Sequence, residues 1–157
     1  DLVYDKYNPP IDRNRLIKQG RAMLKKIFTE QLEYMNGFED IYLKLRDQYR
    51  LALVTSTSLE LVDHIDQFLF IKEKFDIIIT SNDTQSHKPL PDPYIKAASE
   101  LNFNPKDCLV VEDSIQGVKS GVSAGCRVVA LEGSIKKEYL KEADCIISCL
   151  TDIQNIL

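Results

Sequence analysis

The run Cys108-Leu109-Val110-Val111-Glu112-Asp113-Ser114-Ile115-Gln116-Gly117 decides the fold. Its opening residues, Cys108 to Val111, form a continuous apolar stretch, the pattern of a strand covered by helices on both faces; a strand with one wet face would alternate instead. The acidic pair then marks the strand's end and the entry to a helix, where the helix dipole favours negative charge. Working outward, the same unit recurs from Leu51 onward. Candidate strands are Leu51 to Thr55, Asp76 to Thr80, Cys108 to Val111, Val128 to Leu131 and Cys145 to Ser148. Helical patterns fit between them at Leu59 to Phe70, Asp92 to Leu101 and Ile115 to Ala124, with a last helix expected from Asp152. Strands alternating with crossover helices predict an α/β fold with a parallel sheet.

Pro89, Pro91 and Pro93 suit the entry of the helix near Asp92, where an N–H would go unused, and give that loop a stiff path. Before Gly37 the pattern changes. Leu16, Met23, Leu24, Ile27, Phe28, Leu32 and Met35 recur at spacings near three and four, predicting one long amphipathic helix, with Asn36-Gly37 as the joint to the rest of the chain. Asp1 to Asn14, with Pro9-Pro10, reads as loop, and no internal repeat or low-complexity tract is present.

Composition narrows the function classes. The 157 residues are 44% hydrophobic, enough for one core and a small appendage. The 20 basic and 24 acidic residues are dispersed, and no Lys/Arg cluster interleaves with aromatics, so a nucleic-acid partner is not expected. No apolar run approaches the ~18 residues that span a bilayer, and no charged-then-apolar leader opens the sequence, so no membrane association is expected either. Cys108, Cys126, Cys145 and Cys149 lack paired spacing, which favours a reduced, cytoplasmic chain. The chain opens on Asp1 rather than Met, from which we expect that residues precede it in the natural protein.

The polar residues gather at the strands' carboxyl ends, where ligands of open α/β sheets bind. Thr55-Ser56-Thr57-Ser58 follows the first strand, Lys88 arrives by a loop after the second, and Glu112-Asp113 follows the third. Each has a plainer reading, as helix cap, solvated charge or helix-entry anion. Their conjunction points to phosphoryl transfer, which needs donors for anionic oxygens, a fixed positive charge and hard oxygen ligands for a metal.

Three stretches, Leu51-Ala52-Leu53-Val54-Thr55-Ser56, His87-Lys88-Pro89-Leu90-Pro91-Asp92-Pro93-Tyr94 and Val110-Val111-Glu112-Asp113-Ser114-Ile115-Gln116-Gly117, resemble the second, third and fourth motifs of the haloacid dehalogenase-like hydrolases, nearest the phosphatase and beta-phosphoglucomutase-like branch. The resemblance implies a Rossmann-like core over residues 37–157 and, in residues 1–36, the remnant of a helical cap. It also implies catalytic roles for Thr55 and Lys88, phosphoryl binding by Thr55, Ser56 and Lys88, and Mg2+ held by Glu112 and Asp113. Asp92 falls at the third motif's helix start. Gly117, Gly121 and Gly125 are expected to pack one helix face against the sheet, and His64 and His87 to be surface or capping residues, although His87, where many relatives have Gly, is placed to touch substrate.

The resemblance fails at the first motif, a strand ending in Asp-x-Asp, because no Asp-x-Asp occurs in the 157 residues. The nearest imitation is Leu2-Val3-Tyr4-Asp5-Lys6-Tyr7. In the family that strand is central, so its loss leaves two apolar strands facing a gap with unpaired backbone groups. The expected function is a magnesium-dependent phosphatase of a small phosphorylated metabolite, working through an aspartyl-phosphate on a residue outside this sequence, with the 157 residues alone inactive. A phosphomutase, or a non-catalytic binding or regulatory relative, is the alternative.

Overall fold

The computed structural model describes residues 6, 7, 9–133 and 135–157; Leu2 to Asp5, and with them the candidate imitation of the first motif, lie outside the described residues, as does the side chain of Phe28. In chain order the elements are α1 (Arg13–Gln31), α2 (Phe38–Leu45), β1 (Ala52–Val54), α3 (Leu59–Leu69), β2 (Ile77–Ile79), α4 (Asp92–Glu100), β3 (Leu109–Glu112), α5 (Ile115–Ser123), β4 (Arg127–Leu131) and β5 (Cys145–Ile147). All the strand pairs are parallel, and the five expected strands stand where the apolar runs placed them.

β4 shows why those runs are continuous. Val128 and Ala130 face a core made with Tyr94, Val110, Val118 and Leu140, under α4 and α5. The alternate residues Val129 and Leu131 face a second core with Ile41 of α2, Ile147 and Ile153. Both faces are dry, so every position from Val128 to Leu131 is apolar. Gly121 of α5 makes the first core possible, because a Cβ there would stand 2.9 Å from Val128 and 3.2 Å from Val110. Gly125 differs from the expectation that it shares this packing face: it follows the helix with φ +81°, nothing lies within 4 Å of its Cβ position, and its part is to end α5 in the left-handed region.

The strands form two sheets rather than one. β1 pairs with β2, β3–β4–β5 form the other sheet, and no described residue bridges β1 and β3 by a ladder. Val54 nonetheless packs on the Val110–Val118 core, so the two sheets share one apolar body. The seam is visible in exposure: Val111 in β3 is 38% exposed, whereas its β4 partner Val129 is 0% exposed. Among the described residues, then, no strand lies between β1 and β3, the place where the absence of a first-motif strand was expected to show.

Further details depart from expectation: Lys6, Tyr7, Arg13 and Asn14 are helical within the stretch expected to be loop. The first helix ends at Gln31 and Leu32 is extended, so Leu32 and Met35 lie beyond the helix they were expected to continue. Phe38–Leu45 forms a helix that the spacing analysis did not single out, burying Ile41. The C-terminal turn is a 3-10 helix, Leu150–Asn155, in place of an α-helix starting at Asp152, whose carboxylate instead caps Cys149 N–H at 3.2 Å.

Asp76 anchors the start of the β1–β2 pair. Its carboxylate accepts from Leu51 N–H at 2.8 Å and Arg50 Nη1 at 2.7 Å, while its own N–H donates to Leu51 O at 2.8 Å. The backbone donor and the arginine hold its carboxyl below the usual carboxylate range. A depressed folded-state value contributes stability above the unfolded-state value and loses it as pH falls through the folded one. Asp76→Asn should therefore be less stable than the parent in urea titrations at about pH 7, with a smaller deficit at about pH 3. An equal deficit at both values would refute this account of the anchor.

Candidate active site

Each candidate residue sits at a strand's carboxyl end. β1 delivers Thr55, whose N–H continues the ladder to Ile79 O at 2.8 Å, and whose Oγ1 accepts from Thr57 N–H at 3.1 Å. That bond uses a lone pair of the hydroxyl and leaves its proton for another acceptor. Ser56 at the tip of the turn is exposed. Ser58, N-cap of α3, makes no capping bond through its side chain; Asn82, from the loop after β2, accepts from Leu59 N–H at 2.9 Å instead. Asn82 is fixed in turn by Thr80 Oγ1, which accepts from its N–H at 3.2 Å, and Asp83 receives both Thr80 N–H and Thr80 Oγ1–H at 2.7 and 2.6 Å. The Thr55–Ser58 turn is thereby braced by the next strand's loop.

That loop continues through His87, which is exposed, to Lys88 and a cis Lys88-Pro89 bond. Pro91 then opens α4, with Asp92 in its first turn as expected from the proline pattern. The Lys88 side chain is 9% exposed and turns inward across the seam. Its Nζ donates to Val54 O of β1 at 2.9 Å and to Glu112 Oε1 of β3. Thr55, Lys88 and the Glu112-Asp113 pair therefore meet where β1 and β3 end, joined through Lys88.

Glu112 is 8% exposed and saturated. Oε1 receives Lys88 and the Tyr94 hydroxyl at 2.6 Å; Oε2 receives Ser114 Oγ at 3.0 Å and Ser114 N–H at 3.3 Å. Burial alone would raise its carboxyl, but the Lys88 charge and these donors hold it below the usual carboxylate range. Asp113, the next residue, is exposed, and no bond from a described residue to its carboxylate is found. Ser114 also caps α5, accepting from Gly117 N–H at 2.9 Å.

Tyr94, Ser114 and Gly117 are the site residues whose parts the sequence reading missed. Tyr94 lies in the quoted third motif but reads there as an apolar helix residue; its hydroxyl partner is 18 positions away. Gly117 was expected to pack on the sheet. Its Cβ position instead lies 1.9 Å from Glu112 Cδ and 2.0 Å from each carboxylate oxygen, so the absent side chain is what lets the carboxylate lie over the start of α5. His64 is away from the site, bonded through Nε2 to Thr29 Oγ1 at 3.1 Å on α1, in keeping with a structural part. Two surface hollows, of about 350 and 500 Å3, contain none of the candidate residues.

Gly117→Ala tests this geometry, since the new methyl must expel the Glu112 carboxylate from its four donors. Chemical denaturation should show a loss of about 3 kcal/mol, the scale of overpacking combined with a broken buried ion pair. A change within ordinary surface-substitution scatter, about 0.5 kcal/mol, would contradict it.

Residues 2–131 match the haloacid dehalogenase-like hydrolase family. The chain is 42% identical over 84 residues to a bifunctional riboflavin kinase/FMN phosphatase of Arabidopsis thaliana, covering 53% of this chain and 22% of that protein. It is 28% identical over 154 residues to the pyrophosphatase PpaX of Bacillus cereus, covering 94% of this chain and 71% of the relative. An intermediate case, from Haemophilus influenzae, is 29% identical over 77% of this chain and 60% of its own length, so the chain spans only part of these relatives. Among solved structures, a family IA hydrolase from Entamoeba histolytica superposes with TM-score 0.84 at 22% identity, over 99% of this chain and 76% of that one. A beta-phosphoglucomutase from Clostridium difficile gives 0.80 at 21% identity, over 98% and 72%. With the family matched over most of its length and the fold shared with its solved members, this chain belongs to the haloacid dehalogenase-like hydrolases.

Proposed function

We propose that this chain is the greater part of a magnesium-dependent phosphatase acting on small phosphorylated metabolites. The observation that carries the reading is the placement of Lys88. Two of its three N–H groups are taken by Val54 O and Glu112, and no described residue takes the third, which lies at the strand ends beside the Thr55 turn. A buried ammonium with one uncommitted donor, next to a free hydroxyl proton and the start of a helix, suits the oxygens of a phosphoryl group.

The donor chemistry also fits magnesium. Asp113 offers a carboxylate unencumbered by described residues, directly after Glu112. Magnesium takes only one or two protein carboxylates and otherwise keeps water. Glu112 and Asp113 would hold it, with Asp113 the more available because the four donors on Glu112 would have to be surrendered first. Bound there, the ion would neutralise charge on the phosphoryl oxygens.

In this reading Thr55 and Ser56 hold the phosphoryl oxygens, and Lys88 stabilises the charge that develops during transfer. The acceptor is an aspartate of an Asp-x-Asp motif, which the 157 residues do not contain, and the group passes through an aspartyl-phosphate. Residues 1–36 belong, on the same reading, to the cap that closes over the substrate. The relatives named above include an FMN phosphatase and a pyrophosphatase, so a panel of nucleotide, sugar and inorganic polyphosphates is the appropriate substrate set.

With a strand bearing Asp-x-Asp supplied ahead of Asp1, Lys88→Ala should lower magnesium-dependent turnover on that panel on the order of a hundredfold or more. Turnover that survives the substitution unchanged would reject the assignment.

A further inference from the structure

Tyr94 stands in the first turn of α4, between the proline-defined entry and the core, and is 7% exposed. Its hydroxyl donates to the same Glu112 oxygen that receives Lys88, at 2.6 Å, and Lys88 Nζ lies 4.9 Å from the centroid of its ring. One side chain thus contacts both members of the buried pair. Burial and the neighbouring Glu112 charge push its phenol well above the ordinary tyrosine value, so it is a neutral donor throughout the physiological range.

The consequence concerns how much of the Lys88 charge is left for a ligand. A carboxylate oxygen whose sole donor is an ammonium concentrates its charge on that ammonium; a second donor on the same oxygen shares it. Ser114 and the space vacated by Gly117 fix the other carboxylate oxygen, so Glu112 cannot rotate to compensate. The ring supplies a further face against which the ammonium is held.

We propose that Tyr94 is a positioning residue: its hydroxyl shares the charge of Glu112 and fixes the carboxylate, so that Lys88 keeps one N–H and part of its positive field for the bound phosphoryl group. This rests on the phosphotransfer reading above. The competing view is that Tyr94 is a core residue whose hydroxyl is merely satisfied.

Tyr94→Phe separates the two, since it keeps the ring and adds no atom to the core. Two measurements on the full chain decide it: the side-chain ammonium resonance of Lys88 in 15N-lysine-labelled protein, assigned by its loss in Lys88→Ala, and the affinity for inorganic phosphate with magnesium present. In Tyr94→Phe the melting temperature should stay within a few degrees of the parent. The Lys88 resonance should shift or broaden, and phosphate binding should weaken about tenfold, the scale of one hydrogen bond to a charged group. A parent-like Lys88 resonance overturns the proposal whatever phosphate does. Phosphate binding that Lys88→Ala leaves intact overturns the phosphotransfer reading instead, and the resonance still decides the part of Tyr94.

Discussion

Lys88 and Glu112 form an ion pair that is almost fully withdrawn from water, and the rest of the molecule is arranged around the need to satisfy it. Taking two charges out of water costs several kcal/mol per ion, recovered only where geometry and further hydrogen bonds are good. Here they are supplied by three different segments: Val54 at the end of β1, Tyr94 in α4, and Ser114 and Gly117 around the start of α5. Apolar residues of similar volume would stabilise such a position as well or better. A buried pair kept at that cost is better explained by chemistry than by stability.

The pair also lies at the seam between the two sheets that the described residues form. Elsewhere backbone ladders join the strands, and β4, hydrogen-bonded on both sides and covered on both faces, is the most protected element. Between β1 and β3 there is no ladder among the described residues, and the joins are side-chain ones: Val54 on the Val110 core, and Lys88 reaching from the loop after β2 across to β3. Each half-sheet presents to the other an edge that no described strand pairs, the condition that elsewhere invites pairing with a further strand. The candidate site is thus at the part of the sheet least able to hold its own shape, which is why so many bonds converge on Glu112. The thiols take no part: burial pushes Cys126 up to about 11, leaving it an inert apolar filler of the first core.

Much of this was legible in the residue order because the signals are strong and local. Continuous Val, Ile and Leu runs mark strands dry on both faces, and β1 to β5 stand where those runs placed them. Proline spacing marked the entry to α4, and polar residues at strand ends marked the site. What escaped depends on neighbours distant in sequence. Phe38–Leu45 is only 8 residues long and mostly polar at its start, so its stability comes from docking Ile41 against Val129 and Ile147 rather than from its own pattern. Tyr94 carries an aromatic's usual core signal, and nothing in its local sequence reports that its hydroxyl meets Glu112. A four-residue glycine repeat looked like one packing face, yet Gly117, Gly121 and Gly125 answer to a carboxylate, two valines and a left-handed turn respectively.

The step from Glu112 to Asp113 shows how finely the backbone divides labour. Successive side chains of an extended segment point to opposite sides, and the two carboxylates adjacent in sequence at this strand's end meet different surroundings. Glu112 turns into the seam, where Gly117 has left room for it, and is saturated by donors. Asp113 turns outward and remains exposed. In the proposed reaction the inner carboxylate therefore steadies the ammonium that meets the phosphoryl group as well as facing the cation, and the outer one is the more available of the two to the cation. The pair that reads in sequence as a single acidic motif thus places one carboxylate among buried donors and the other in the open.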